Sequence, residues 1–303
     1  MTSSAETPAP AHDAPPPDED ATQPLDPAHA GAEPAALRRA GVIAAARRDI
    51  GQVREINQDH VFALTASMPR EEQDVVIGLY IVADGMGGHD GGEVASQLAV
   101  AEIVRHVLAE LLIPALGSGI NASIQAIITS AVQGANRAIY DHGRSLGSDM
   151  GTTCTVALLL GHSLYIGHVG DTRAYLFGPS GIRRLTSDHS AVGRLIELGQ
   201  LDPSEAREHP LRSHLYRTVG QTPEVVVDVS FERLGDATHL LLASDGLWGM
   251  VEDDDLAAIV QTASPEEACV QLIRRANDAG GDDNISAVVV AFPATQSEDD
   301  GVL

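Results

Sequence analysis

Five aspartates, Asp59, Asp84, Asp171, Asp245 and Asp283, stand at the margins of apolar segments of this 303-residue chain. Strands that end together can bring such distant carboxylates to one place, and hard divalent ions take carboxylate, carbonyl and water oxygens as ligands. The only cysteines are Cys154 and Cys269, and no closely spaced histidine set is present, so Mg2+ or Mn2+ suits the pattern better than zinc. Singly, each aspartate has an ordinary explanation as a helix cap or turn former. Together with Ala83-Asp84-Gly85-Met86-Gly87-Gly88, Val169-Gly170-Asp171 and Ser244-Asp245-Gly246, five unrelated caps explain less than one metal cup does.

The elements that must position these residues follow from periodicity. Val53, Val61, Phe62 and Leu64, then the apolar run 75–82, read as strands ahead of the glycine-rich loop 83–92. Apolar faces at helical spacing predict helices over 93–112 and 122–140. Short strands are predicted at 152–160, 164–169, 174–177, 225–230, 239–243 and 285–292. A late helix over 265–279 carries Glu266 and Glu267 near its positive end. The polar stretch from Asp188, interrupted by Gly199, Pro203 and Pro210, reads as a flap or surface excursion. No linker divides 41–293, which points to one large catalytic domain.

Composition bounds the rest. The chain holds 43 acidic and 19 basic residues, all of the latter arginine, for a net charge of −24. Residues 1–37 contribute seven acids and no base, leaving −17 on the remainder. A surface this acidic argues against binding along nucleic acid or an anionic membrane. Residues 1–40, with eight of the 16 prolines before residue 37, are expected to be a disordered Pro/Ala-rich tail, and 294–303 a short acidic end. The two cysteines are expected to be reduced and buried. Without a charged start followed by a long apolar run, the expectation is a cytoplasmic monomer with no stable membrane insertion.

The ordered motifs resemble the metal-dependent PPM, or PP2C-type, protein serine/threonine phosphatases of bacteria. The resemblance runs through Arg54-Glu55-Ile56-Asn57-Gln58-Asp59, Asp84-Gly85-Met86-Gly87-Gly88-His89, Met150-Gly151-Thr152-Thr153 and Val169-Gly170-Asp171-Thr172-Arg173. It continues through Leu185-Thr186-Ser187-Asp188-His189-Ser190, Arg217-Thr218-Val219-Gly220, Ser244-Asp245-Gly246 and Asp282-Asp283-Asn284-Ile285-Ser286. It implies an α+β fold of four α/β/β/α layers, a central antiparallel β-sandwich flanked by helices, with a flap subdomain near 188–218. It also implies two core Mn2+ or Mg2+ ions. Asp84 would bridge them, the Gly85 carbonyl would bind one, and Asp245 and Asp283 would complete the other. Asp59 would hold metal-bound water, Asp171 with Asp245 would form a third, weaker position, and Arg54 would bind phosphate through its fork of donors.

The function so implied is hydrolysis of phosphoserine and phosphothreonine in proteins, by in-line attack of metal-activated water without a phosphoenzyme, opposing Ser/Thr protein kinases. A catalytically inactive, PP2C-like binding protein and another metal-dependent phosphoesterase are the alternatives. Ser244 lies outside a GxSxG elbow, which disfavours a serine hydrolase. Two departures matter. Met86 stands where animal relatives place a proton-donating histidine, and methionine cannot donate; nothing transfers that role to His89. Thr172 replaces the usual serine of the Gly-Asp-Ser-Arg turn, with the hydroxyl retained. Arg173 is expected to find a carboxylate or backbone partner rather than substrate.

Overall fold

The computed structural model describes Met1 and residues 41–68, 75–88, 91–117, 122–202, 205, 206 and 209–293. All elements below lie in one unit, Ala40–Leu303. The tail expected over 1–40 and the short end expected over 294–303 lie outside the described residues.

Two antiparallel sheets form the centre. One holds β1 (Ile43–Asp49), β11 (Ile285–Ala291), β10 (His239–Ala243), β7 (Arg173–Gly178) and β8 (Gly181–Arg184), in that order. The other orders β2 (Asp59–Met68), β3 (Val75–Met86), β5 (Cys154–Leu160), β6 (Ser163–Val169) and β9 (Asp228–Arg233), with the two-residue β4 (Gly151–Thr152) paired to the end of β3.

Successive side chains of a strand point to opposite faces, so a strand covered on both sides reads as continuously apolar. In β3, Tyr80 and Val82 point between the sheets, while Leu79, Ile81 and Ala83 pack beneath α1 (Gly91–Val107) and α3 (Ile124–Leu146). In β11, Val288 and Val290 meet the opposite sheet, and Ala287 and Val289 pack under α6 (Asp253–Thr262) and α7 (Pro265–Asp278). Three apolar layers thus separate four layers of secondary structure, as the resemblance implies.

Local chemistry sets the ends of the helices. Ser264 and Glu267 form a reciprocal capping box with Pro265 in the first turn of α7. Ser123 caps α3, which ends at Gly147 in the left-handed region (φ 64°). α1 continues through a π-helical turn, Leu108–Leu112, into the short α2 (Ile113–Ala115).

Several elements differ from the periodicity reading. β1 is poor in strand formers, and pairing with β11 holds it in place. Val53 sits in a turn rather than a strand, and β9 is displaced three residues C-terminal of its expected start because its register follows β6. The acidic start of α6 conceals a helix whose buried face is chiefly Leu256 and Val260. Within the expected flap, α4 (Ala191–Glu197) begins with a cap from Ser190, and a bridge between Ser190 and Leu215 closes its root. Among the described residues no helix is long and apolar enough to cross a membrane.

Candidate metal and phosphate site

One end of the sandwich gathers the expected aspartates. The β2/β3 register sets Asp59 directly across from Asp84. Thr153 grips Asp84 on both backbone sides: its amide donates to the Asp84 carbonyl (2.8 Å), and its hydroxyl accepts from the Asp84 amide (3.0 Å). Asp171 occupies the turn between β6 and β7. Asp245 opens the one-turn helix α5 (Asp245–Trp248) just after β10, and Asp283 immediately precedes Asn284 and β11. Ala243 lies opposite both Arg173 and Ala287, so the three strand ends meet.

Glycines permit the approach. A Cβ on Gly85 would lie 2.0 Å from the Gly92 carbonyl oxygen, and one on Gly246 would lie 2.1 Å from that of Asn284. Neither gap admits a side chain, so these positions require glycine for close backbone packing.

The electrostatics are those of crowded anions. Asp59 is fully inaccessible and Asp171 nearly so. Asp84 and Asp245 keep some surface, yet protein encloses them closely enough for burial to dominate their proton affinity. Burial raises Asp59 to about 7, with Asp245 and Asp283 adding to the rise. Asp84 and Asp171 are likewise raised by burial, then by neighbouring carboxylates. Asp245 rises to about 6 through burial and Asp283, held back by hydrogen bonds involving Asp84 and the Gly246 amide.

Both oxygens of Asp59 and Oδ1 of Asp245 are buried without a hydrogen-bond partner. The Ser244 and Ser286 hydroxyls lie close enough to Asp59 to favour its ionised form, but in geometry too poor to satisfy it. Unsatisfied buried anionic oxygens are costly unless a cation meets them. Among the described residues no three His, Cys, Asp or Glu side chains form a closed ligand set. The unsatisfied carboxylate oxygens are hard donors, the kind that Mg2+ and Mn2+ take together with carbonyl and water oxygens.

Arg54 reaches this cluster from the loop before β2. Its Nη2 donates to Asp283 Oδ2 at 2.7 Å, and 51% of its side-chain surface remains accessible. Asn284, which the Asp282–Ser286 motif contains but to which the sequence assigns no role, organises that loop. It accepts from the Gln58 amide (2.8 Å) and donates to the Ile50 (2.9 Å) and Ile56 (3.0 Å) carbonyls. A cleft of about 700 Å3 opens from Asp171, Asp245 and Asp283 toward Val192 and Ile196 of α4, with Trp248 in its wall.

Arg173 finds its expected carboxylate in Asp188, through Nε–Oδ1 (3.0 Å) and Nη2–Oδ2 (2.6 Å). Its guanidinium stacks 3.4 Å from the Trp248 ring centroid. Thr172 is fully buried, its hydroxyl 2.7 Å from that of Thr155. Cys154 and Cys269 are buried and unpaired in disulfides. His89 lies outside the described residues.

Residues 52–284 match the family model described as protein phosphatase 2C. A putative protein phosphatase 2C-type from Streptococcus pyogenes is 33% identical over 259 residues, 84% of this chain and 97% of the relative. The serine/threonine phosphatase stp of Listeria monocytogenes serotype 4b is 32% identical over 256 residues, 82% of this chain and 96% of its own length. The crystal structure of the Mycobacterium tuberculosis serine/threonine phosphatase PstP/Ppp superposes with a TM-score of 0.70 at 34% identity, covering 83% of this chain and 99% of that one. A PstP catalytic domain in complex with two manganese ions superposes at 0.68 with 30% identity, covering 83% and 98%.

Proposed function

The chain belongs to the protein phosphatase 2C family, and from that premise we propose that it hydrolyses phosphoserine and phosphothreonine in proteins with the help of divalent cations. The observation that carries this reading is the set of buried, mutually repelling carboxylates with unsatisfied oxygens beside an accessible arginine.

In this reading Asp84, the Gly85 carbonyl, Asp245 and Asp283 would hold two core Mn2+ or Mg2+ ions, with Asp84 serving both. Asp171 with Asp245 would hold a third. When bound, the ions supply activated water and offset the charge that develops on the phosphoryl group. Asp59 accepts hydrogen bonds from water and fixes its direction. Arg54 keeps one Nη on Asp283, so the rest of its fork can hold phosphate oxygens against the acidic surroundings. Met86 offers no proton to the departing alkoxide, which leaves solvent as the donor.

The cellular setting proposed is a cytoplasmic monomer acting on phosphoproteins and opposing Ser/Thr protein kinases.

The test is release of phosphate from a phosphothreonine peptide with and without added Mn2+ or Mg2+. Asp84→Asn and Asp245→Asn should each lower turnover by about a thousandfold, the scale for losing a metal ligand together with its electrostatic stabilisation. Folded, metal-loaded wild type that releases no phosphate would overturn the reading. A single-stranded nucleic acid offered in parallel should not be cleaved.

A further inference from the structure

Three consecutive residues at the flap root contact the turn that carries Asp171 or the strand ends on either side of it. The Ser187 carbonyl accepts from His168 Nε2 at 3.1 Å. His168 Nδ1 lies 2.9 Å from the Thr155 hydroxyl, which in turn meets that of Thr172. Asp188 holds Arg173 through both carboxylate oxygens. His189 takes Gly170 from both sides: its amide donates to the Gly170 carbonyl (2.7 Å), and its Nδ1 accepts from the Gly170 amide (3.0 Å).

That double contact determines the state of the imidazole. Nδ1 faces an N–H and carries no proton, so in a neutral ring the proton sits on Nε2. Nε2 faces Asp228 Oδ2 at 3.0 Å and donates to it. Arg217 Nη1 also lies 3.0 Å from Nε2, but a protonated Nε2 has no lone pair to offer, and Arg217 donates instead to Asp228 Oδ1. Asp228 begins β9, so the imidazole ties the turn to the flap root and the flap root to the sheet. Gly170 has φ 112°, and a Cβ there would meet Thr153 at 2.5 Å. The peptide before Asp171 thus owes its placement to partners rather than to a side chain of its own.

We propose that His189 is a positioning residue, fastening the Gly170–Asp171 peptide to the flap root so that the Asp171 carboxylate is held toward Asp245. The flap root and the Asp171 metal position then form one mechanical unit. This rests on the proposed function for the assignment of Asp171 as a metal ligand, and not on turnover.

Trp248, the chain's single tryptophan, provides the reporter. Its indole N–H donates to the Asp171 carbonyl at 3.0 Å, and Arg173 stacks on its ring. Its fluorescence should be titrated with Mg2+ in the full chain and in Asp171→Asn, His189→Asn and His189→Gln. Asparagine keeps an acceptor near the Nδ1 position, whereas glutamine keeps only a donor toward Asp228. The Mg2+ midpoint should stay within about twofold in His189→Asn and weaken about tenfold in His189→Gln, as in Asp171→Asn, the scale for losing a partner that orients a ligand. Wild-type behaviour of His189→Gln, or equal weakening in both His189 variants, overturns the proposal.

Amide hydrogen exchange of the wild type is the second measurement, and it stands if His189→Gln does not fold or if Asp171→Asn leaves the midpoint unmoved. The Gly170 and His189 amides should exchange slowly and in concert, and fast independent exchange of Gly170 overturns the proposal. Neither readout needs turnover. Failure of the phosphatase reading would appear separately, as absent phosphate release with both readouts intact.

Discussion

Arg173 shows how a residue next to a reactive centre can be committed to architecture. Its forked contact with Asp188, its bond to the Tyr175 hydroxyl (3.2 Å) and its stacking on Trp248 use the planar guanidinium in three ways. Both members of the ion pair are largely buried, at 17% and 8% side-chain exposure. Lysine would keep the charge but lose the fork and the stack. Arg173→Lys should therefore cost about 2 kcal/mol of stability in urea unfolding, less than the loss expected when one member of a buried ion pair is removed outright. A change within about 0.5 kcal/mol, the range of ordinary surface substitutions, would show that the network relaxes around lysine. Arg54 contrasts with it: a single-nitrogen contact with Asp283 and an accessible side chain leave its other donors available to a ligand.

At the scale of elements, the site is a set of strand ends, and its charge opposes the fold that assembles it. Asp59, Asp84, Asp171 and Asp245 bind protons more tightly in the folded chain than in the unfolded one. Raised acids contribute stability that is fully present below the unfolded value near pH 4 and is lost as pH rises through the folded values. Buried neutral histidines act in the opposite sense. His168, lowered to about 4 by burial, and His189, also lowered, favour the fold as pH climbs toward 6.5. Above about pH 6.5 the histidine contribution is complete and only the carboxylates remain to ionise. In EDTA, unfolding free energy should then fall between about pH 6.5 and 8, by up to about 1.4 kcal/mol per pH unit for each carboxyl still protonated. Saturating Mg2+ should remove the decline, because ion binding favours the ionised carboxylates. Urea unfolding at both ends of that range, with and without the ion, checks the prediction; a flat EDTA profile would contradict it.

Across the whole molecule, a chain of net charge −24 carries a site that must admit a dianionic group. The long-range field favours approach of a substrate whose remaining residues are basic, and salt screens that field over about 8 Å at physiological strength. Between two phosphothreonine peptides differing only in Arg or Glu at flanking positions, kcat/KM should favour the basic one at low salt. The preference should shrink toward parity near about 0.5 M salt, where the screening length falls below most surface-to-peptide distances. A preference that persists unchanged would place the discrimination in short-range contacts of the cleft.

Much of this protein was legible before any fold was seen. The apolar runs of β3 and β11 could be read as strands because both of their faces are buried, and the five aspartates stood out because they sit at the margins of apolar runs, four of them near glycines. The family followed from ordered motifs, whose residue types are constrained by chemistry at each position. Other features were hidden, each for a physical reason. β1 and α6 owe their states to pairing and packing with distant segments, which override weak local preference. Asn284, Trp248 and Asp228 carry no signal alone, since an amide, an indole or a carboxylate becomes an organiser only when tertiary structure supplies its partner. The sequence by itself determined which ligand chemistry is available and the order of the strands that carry it. Only the tertiary structure decided that Asp59 faces Asp84, that Arg54 meets Asp283, and that His189 brackets Gly170, because a hydrogen bond or a carboxylate repulsion depends on distances of a few ångströms that folding alone sets.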